Sequence, residues 1–202
     1  MSDVGHGSGL RDHVLLFSRF LRSPRTVGAL TASSRALAEA MVSGLDLGQP
    51  GTIVELGPGT GAFTGAIVER LGAKTRFLAV DIDSAFVTQL QRRWPRIESV
   101  CASAEQLSTL LAQRGIGPVD HIVSGLPFVS LPPAMTQKIL GEIAVVLRPG
   151  GTFTTFQYAH GYALPPAVAF RRGLSERLGG PPAVRLVIRN VPPAFVLTWQ
   201  KP

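Results

Sequence analysis

The sequence predicts an α/β fold with a seven-stranded, mostly parallel sheet that carries an antiparallel terminal strand. Short apolar runs rich in β-branched and aromatic residues alternate with segments of helical periodicity, the order that builds parallel sheets. A glycine-rich turn follows the first of these runs, as expected where a strand leads into a ligand-binding helix. The last two runs, 184–189 and 193–199, have three residues between them, a spacing typical of an antiparallel hairpin.

Composition predicts one domain of ordinary size with an anionic partner. The chain has 202 residues, of which 45% are hydrophobic and 16% charged, and its net charge is +7. Such a charge favours nucleic acid or an acidic membrane surface, or it merely keeps the protein in solution. The one cysteine, Cys101, excludes an internal disulfide and lies in an apolar strand pattern, so we predict a small core residue. No apolar run of the sequence is long enough to span a bilayer.

The N-terminal region is predicted to be a tail followed by helices. Residues 1–10 are polar and glycine-rich, which predicts disorder. Residues 11–45 are predicted to form membrane-facing or substrate-covering helices, and 46–202 one compact cofactor-binding domain. The helix at 11–23 is amphipathic, with Leu16, Phe17, Phe20 and Leu21 together and Arg11, Arg19 and Arg22 around them. That pattern is typical of a helix in a membrane interface, and it also fits a helix that covers the sheet.

Periodicity and turn residues assign the other elements in chain order. Small residues predict a turn at 28–34, with Ser33 or Ser34 capping a helix over 35–44. The remaining strands are predicted at 53–56, 76–80, 97–102, 119–123 and 152–158. The remaining helices are predicted at 64–71, 85–94, 106–113, 136–147 and 168–178, with a turn at 148–151.

The turn after the first strand carries the binding chemistry. Glu55 stands near the end of the strand, and the glycines Gly57, Gly59 and Gly61 follow it. Without Cβ atoms in the way, this backbone can close on a ligand. Gly57, Gly59 and Ala62 also satisfy the fingerprint of a dinucleotide site. Glu55, however, would oppose a pyrophosphate and would suit a cationic ligand such as S-adenosylmethionine, which carries an ammonium and a sulfonium.

An acidic residue ends the second strand, where the ribose of a cofactor is expected. Asp81 lies at the distance from the glycine turn that suits a carboxylate binding both ribose hydroxyls. Asp83 alternates with Asp81 and is predicted instead to cap the helix that starts near Ser84.

The pattern Glu-x-Gly-x-Gly-x-Gly resembles the first motif of class I methyltransferases. This resemblance implies a Rossmann-like fold, S-adenosylmethionine as cofactor and S-adenosylhomocysteine as product. It implies that Glu55 and the glycine turn hold the methionine end of the cofactor and that Asp81 holds the ribose. Members of this class often place an acidic residue after the third strand, against the adenine amino group. Ser103 stands there, so its hydroxyl or the neighbouring backbone of Ala104 is the expected contact.

A second motif follows the fourth strand, where the transferred methyl group would lie. The run Ser-Gly-Leu-Pro-Phe begins at Ser124 and resembles the Asn-Leu-Pro-aromatic run of methyltransferases that act on amines. The resemblance implies that the carbonyl of Ser124 or Gly125 orients the amine, and that Phe128 walls the pocket and attracts a methylated cation. Ser124 would also border the cofactor. Leu126 and Pro127 would contact the substrate, although Pro127 and Phe128 also fit a plain turn.

Together these motifs are similar to those of bacterial phospholipid N-methyltransferases, from about Phe17 to the last strand. Gly-Ala at 28–29 and Ser-Ser at 33–34 fit that family, with Ala32 at the usual place of a proline. The resemblance implies stepwise methylation of phosphatidylethanolamine toward phosphatidylcholine. The alternative is the rRNA adenine N6-dimethyltransferases. They carry Asn in place of Ser124 and continue into a helical domain, whereas this sequence ends at its last predicted strand.

A phospholipid amine is an ammonium at neutral pH and must lose a proton before it can accept a methyl group. Tyr158, at the end of the fifth strand, is our first choice as an orienting hydroxyl, and His160 is the second group that could hold or relay this proton. Arg19, Arg22 or Arg25 is expected to hold the lipid phosphate.

The sequence therefore predicts an enzyme bound peripherally to the inner face of the cell membrane. Anionic lipids are the expected partners, and no nucleic acid is expected. No metal-ligand spacing appears in the sequence, and its four histidines are scattered. Two further hypotheses stay open at this point: an NAD-binding module, and a protein that binds its cofactor but only anchors partners.

Overall fold

A computed structural model of the protein describes the backbone of residues 27–202 and the side chains from Arg35 onward. The predicted disordered tail, the amphipathic helix at 11–23 and the three arginines expected to hold a phosphate (Arg19, Arg22 and Arg25) lie outside the described residues. Within residues 27–202, the chain forms one sheet flanked by helices.

The centre of the protein is a seven-stranded sheet with the strand order β3-β2-β1-β4-β5-β7-β6. The strands are β1 (Gly51–Leu56), β2 (Thr75–Asp81), β3 (Glu98–Cys101), β4 (Val119–Ser124), β5 (Leu147–Tyr158), β6 (Ala183–Val187) and β7 (Ala194–Gln200). All neighbouring pairs are parallel except those of β7, which runs antiparallel to both β5 and β6. The predicted mixed sheet with an antiparallel terminal strand is confirmed.

Helices cover both faces of the sheet, which explains why its central strands are apolar along their whole length. They are α1 (Val27–Val42), α2 (Ala62–Val68), α3 (Ser84–Arg93), α4 (Leu107–Gln113), α5 (Pro133–Val146) and α6 (Pro165–Leu178). One core cluster joins the sheet to α4, α5 and α6 and includes Phe153, Phe170 and Trp199. The cluster on the other face includes Met41 of α1 and Ile67 of α2.

The arrangement of the strands determines where a ligand can bind. β1, β2, β3, β4, β5 and β6 all point the same way, so their last residues meet at one edge of the sheet, which we call the carboxyl edge. The chain leaves β1 toward β2 on one side and returns to β4 on the other. This reversal opens a crevice at the carboxyl edge between β1 and β4.

Two predicted turns are part of regular elements instead. The expected turn at 28–34 is wrong, because α1 begins at Val27 and includes Ser33 and Ser34, so neither serine precedes a helix as its cap. The alanines and leucines of this stretch have high helix propensity, which offsets the low propensity of Gly28. The expected turn at 148–151 is also wrong, because β5 begins at Leu147 and includes these residues. The register of the pairing between β5 and β4 shifts at this point.

Cys101 is exposed, so the prediction of a core residue is wrong. It ends β3, the outermost strand on its side of the sheet, and its Sγ lies 3.5 Å from the carbonyl oxygen of Ile82. An edge strand is covered less completely than a central one, and none of the four residues of β3 is buried. The apolar pattern of the sequence cannot distinguish these two positions.

Candidate active site

The glycine turn forms the floor of the crevice, directly after β1. Gly57, Gly59 and Gly61 have φ values of +67°, +53° and +85°, which side chains rarely tolerate. A Cβ on Gly57 would lie 2.7 Å from Cδ2 of Leu126, whereas one on Gly59 would meet no heavy atom within 4 Å. The turn is therefore packed against the protein at Gly57 and open at Gly59, where a ligand can approach the backbone.

Glu55 lies fully buried beside this turn, with a relative exposure of 0%. Its Oε2 accepts a hydrogen bond of 2.7 Å from the hydroxyl of Thr64 in α2. Its Oε1 has no hydrogen-bond partner among the described residues, although it is buried. Burial is the largest cause that raises the pKa of Glu55 to about 8, with a smaller contribution from the nearby Asp81; the Thr64 hydrogen bond opposes both. An unpartnered buried carboxylate oxygen is suited to a cationic ligand.

Asp81 connects the end of β2 to the glycine turn. Its Oδ2 accepts a hydrogen bond of 3.0 Å from the backbone N–H of Gly59, and its Oδ1 accepts one of 2.9 Å from the N–H of Asp83. Burial raises the pKa of Asp81, and the two backbone hydrogen bonds counteract that shift. The side chain of Asp83 accepts from the N–H of Ala85, so its predicted role as the cap of α3 is confirmed.

The loop after β4 lies against the same turn. The N–H of Gly125 donates to the carbonyl of Leu56 at 2.8 Å, and a Cβ on Gly125 would lie only 2.6 Å from the carbonyl oxygen of Gly57. Ser124 is fully buried; its Oγ accepts from the N–H of Leu126, and its carbonyl accepts a hydrogen bond of 3.0 Å from the hydroxyl of Thr155. The two predicted motifs are therefore in direct contact.

Phe128 lies in the core, with 5% of its surface exposed. One face of its ring stacks on Phe170 of α6, with 4.4 Å between the ring centres, and Phe153 packs against its edge. These contacts give the ring a place in the core, and its expected role as a pocket wall that attracts a cation stays a prediction. Pro127 accepts at its carbonyl from the N–H of Ser130, which fits the plain-turn alternative.

A row of aromatic rings runs from the glycine turn to the end of β5. We call Phe63, Phe156, Tyr158 and His160 the aromatic row. Phe156 packs edge-on against both Phe63 and Tyr158, at ring-centre distances of 5.7 Å and 5.3 Å, and His160 stacks on Tyr158 at 5.7 Å. Tyr158 is half-buried, and burial raises the pKa of its phenol, so the hydroxyl keeps its proton at neutral pH. His160 is exposed.

The end of β3 lies close to Asp81, because the N–H of Ala102 donates to the Asp81 carbonyl. The next residue, Ser103, uses its Oγ to accept from the N–H of Glu105 and so caps a short 3-10 helix, Ala104–Gln106. The structure thus brings Ser103 and Ala104 to the same edge as Asp81, where the sequence predicts an adenine contact.

Four residues near these groups were not predicted as site residues. They are Phe63, Thr64, Thr155 and Phe156. The alternation of Phe156 and Tyr158 along β5, with His160 two residues further on, would have indicated the aromatic row. The two threonine hydroxyls carry no such signal, because their partners Glu55 and Ser124 belong to other elements.

The chain is similar to known methyltransferases in sequence. Residues 53–151 match the family described as a methyltransferase domain. An ornithine lipid N-methyltransferase of Singulisphaera acidiphila is 30% identical over 147 residues, which are 71% of this chain and 77% of that protein. A ribosomal RNA small subunit methyltransferase A of Koribacter versatilis is 32% identical over 141 residues, 66% of this chain, but the match spans only 45% of that protein.

Solved structures share the fold. The 1,6-didemethyltoxoflavin-N1-methyltransferase of Burkholderia thailandensis, which was solved with bound 1,6-didemethyltoxoflavin and S-adenosylhomocysteine, superposes with a TM-score of 0.67. The match covers 99% of this chain and 93% of that one, at 21% sequence identity.

Proposed function

The chain belongs to the S-adenosylmethionine-dependent methyltransferases, and from that premise we propose that it methylates the headgroup amine of phosphatidylethanolamine toward phosphatidylcholine. The observation that carries this proposal is the ornithine lipid N-methyltransferase that matches 71% of the chain. Both substrates present an amine on a lipid headgroup. The second motif of the site, beginning at Ser124, supports an amine as the methyl acceptor.

The cofactor is S-adenosylmethionine, as predicted, so the dinucleotide interpretation of Gly57, Gly59 and Ala62 is wrong. The predicted class I, Rossmann-like fold is confirmed as well. The cofactor supplies a methyl group on a sulfonium, which is already an excellent leaving group. The protein therefore has to hold and orient the partners and exclude water, rather than activate the donor.

The geometry of the described residues fits this cofactor. Glu55 offers a buried carboxylate oxygen without a partner, which suits an ammonium group, and the backbone at Gly59 is open to a ligand. Asp81 already accepts from two backbone N–H groups, but a carboxylate has about four acceptor positions, so it can also take ribose hydroxyls. We assign the methionine end to Glu55 and the glycine turn, the ribose to Asp81, and the adenine edge to Ser103 and Ala104.

On the acceptor side, the residues provide an apolar surface with few polar groups. The aromatic row favours the neutral form of an amine by desolvation, and its half-buried rings, Phe156 and Tyr158, attract the methylated cations that later steps produce. The carbonyl of Ser124 already accepts from Thr155, and its second lone pair can accept from the substrate N–H together with the neighbouring Gly125. Leu126 and Pro127 border this position.

Proton removal requires a group that reaches solvent. The Tyr158 phenol stays protonated at neutral pH because burial raises its pKa, so we assign it to orienting the amine rather than to accepting the proton. His160 stacks on Tyr158 and is exposed, so its imidazole nitrogen is our candidate for passing the proton to water. We also propose that Arg19, Arg22 or Arg25 holds the lipid phosphate.

We propose that the enzyme works as a peripheral protein on the cytoplasmic face of the membrane. Within residues 27–202, no helix is long and apolar enough to cross a bilayer. The net charge of +7 supports attraction to anionic lipids.

Two other substrates are supported by specific relatives. An ornithine lipid is favoured by the matched lipid N-methyltransferase, and ribosomal RNA by the relative from Koribacter versatilis. An ornithine lipid carries its amine on an amino acid without a phosphate, so it would not need the arginines assigned above.

The experiment follows radiolabelled methyl groups from S-adenosylmethionine into three substrates supplied separately. These are phosphatidylethanolamine vesicles, ornithine lipid vesicles and small-subunit ribosomal RNA. We expect incorporation into phosphatidylethanolamine, with mass analysis giving the number of methyl groups added. Incorporation only into the ornithine lipid would move the proposal to that substrate, and incorporation only into RNA would overturn it.

A further inference from the structure

Among the side chains that the structure describes, two of the most exposed apolar ones lie on the connection between β6 and β7. We call residues 188–193 the edge loop. Ile188 has a relative exposure of 71% and Val191 of 68%, and Leu164, just before α6, is 48% exposed. Isolated exposed apolar residues are common, but a group of them at one end of a molecule marks an interaction surface.

Strand direction places the edge loop beside the candidate active site. β6 runs parallel to β5, so it ends at the carboxyl edge, where the loop begins. Ala194, the first residue of β7, pairs with both Tyr158 and Val187. The N–H of Ala159 also donates to the carbonyl of Pro193 at 2.8 Å. The edge loop is therefore the immediate neighbour of Tyr158 and His160.

A buried side chain and a hydrogen bond within the edge loop fix its conformation. Asn190 is buried, and its side-chain amide donates to the carbonyl of Pro192 at 2.7 Å. Ile188 and Val191, which lie before and after Asn190 in sequence, are both largely exposed to solvent. A preformed loop loses little conformational entropy on binding, which favours docking.

The charge around the edge loop is positive. Arg189 lies between the two apolar residues in sequence and is exposed, and Arg172 is exposed on α6. Of the carboxylates at the carboxyl edge, Glu55 and Asp81 are buried beside the glycine turn. Asp83 and Glu105 are half-buried, but they follow β2 and β3, on the far side of the sheet from β6. Apolar tips flanked by arginines match an interface of acyl chains beneath anionic headgroups.

We propose that the edge loop, together with Leu164, docks on an anionic lipid bilayer and so brings the opening beside Tyr158 to the level of the headgroups. This inference rests on the proposed function for its choice of partner. It differs from the predicted role of the N-terminal helix, because it assigns membrane contact to a surface of the catalytic domain. A second copy of the chain is the competing occupant, because β6 is an edge strand with Val184 and Leu186 exposed.

The test uses the double substitution Ile188→Ser with Val191→Ser in the full chain. The matched control is Val145→Ser, because Val145 is 72% exposed but lies at the end of α5, next to Leu147 at the opposite edge of the sheet. Co-sedimentation with vesicles of phosphatidylglycerol and phosphatidylcholine measures the partition coefficient. We expect it to fall at least tenfold in the edge-loop variant and to stay unchanged in the control.

Three further measurements keep the outcomes distinct. Circular dichroism and S-adenosylhomocysteine binding establish that the edge-loop variant is folded, and sedimentation velocity gives the oligomeric state of each protein. Vesicle binding equal to that of wild type, or loss of a dimer without loss of vesicle binding, overturns the docking proposal even if phosphatidylethanolamine is methylated. If vesicle binding falls as expected but no lipid is methylated by wild type, docking stands and the proposed function fails.

Discussion

The hydroxyl of Thr64 donates a 2.7 Å hydrogen bond to one oxygen of Glu55, while the other oxygen of that buried carboxyl has no partner among the described residues. One hydrogen bond is too little to keep a fully buried carboxylate charged, and burial raises the pKa of Glu55 to about 8. In the ligand-free protein at neutral pH, Glu55 therefore holds a proton. This residue thus links protonation to both stability and cofactor binding.

The first prediction is that stability falls as the pH rises from about 5 to 8. The folded protein keeps the Glu55 proton up to a pKa of about 8, whereas the unfolded chain releases it near the ordinary value of 4.5. The folded state binds more protons in that window, so raising the pH favours unfolding by up to about 1.4 kcal/mol per pH unit. Glu55→Gln removes this dependence, because an amide does not titrate.

Urea unfolding at four pH values between 5 and 8 measures this effect. The control is Glu69→Gln, which changes an exposed carboxyl at the end of α2. We expect the control to keep the slope of wild type and Glu55→Gln to flatten it. Equal slopes in all three proteins would show that Glu55 is ionised in the folded state.

The second prediction concerns the proton of Glu55 when the cofactor binds. A cationic ammonium beside Glu55 favours the carboxylate and lowers its pKa, so the protein should release up to one proton at pH 7. Isothermal titration calorimetry with S-adenosylhomocysteine, in two buffers of different ionisation enthalpy, counts that proton. The ligand amine titrates as well, so the difference between wild type and Glu55→Gln isolates the contribution of Glu55. If wild type and Glu55→Gln release the same number of protons, Glu55 does not contact the ammonium of the cofactor.

The sequence predicts the sheet and the glycine turn because both depend on local patterns. Apolar runs, helical periodicity and the spacing of Glu55 to the glycines are all visible in the chain. The sequence does not predict which side chains of an element are covered by other elements in the fold. Cys101 is exposed because β3 is an outer strand, and Phe128 is buried because Phe170 of α6 folds onto it. Neither neighbour is indicated by the residues next to it in sequence.

The third prediction separates ligand contact from backbone strain at Gly59. Gly59→Ala places a Cβ into open space at a φ of +53°, so it costs only the strain of the left-handed conformation, about 1–2 kcal/mol. Gly115→Ala is a matched control, because Gly115 has a φ of +60° and equally open surroundings but precedes β4 at the opposite edge. We expect similar losses of stability in both variants.

Only Gly59→Ala should lose cofactor affinity, by at least tenfold in calorimetric titrations with S-adenosylhomocysteine. The reason is that its new methyl group occupies space where the ligand approaches the backbone. Retained affinity in Gly59→Ala would mean that the ligand lies away from this part of the turn.

The fourth prediction distinguishes the two aromatic environments of the site. Phe128→Leu removes a ring that is stacked in the core, so it should lower the free energy of unfolding by about 1–3 kcal/mol and leave the KM for the lipid unchanged. Phe156→Leu changes the half-buried aromatic row and should raise that KM. A higher KM for Phe128→Leu, without a change for Phe156→Leu, would support the sequence prediction that Phe128 walls the pocket.

The fifth prediction tests whether Tyr158 orients the amine or only packs beside it. Tyr158→Phe keeps the ring contacts with Phe156 and His160 but removes the hydroxyl. A neutral hydrogen bond contributes about 0.5–1.5 kcal/mol, so kcat/KM for phosphatidylethanolamine should fall about two- to tenfold while S-adenosylhomocysteine affinity stays the same. Because the phenol is neutral at pH 7, the loss should be constant between pH 6 and 8. His160→Asn should also lower the rate, because it removes the imidazole nitrogen assigned to pass the proton to water. A Tyr158→Phe defect that grows with pH would identify the phenol as the base, and no defect would reduce Tyr158 to a packing residue.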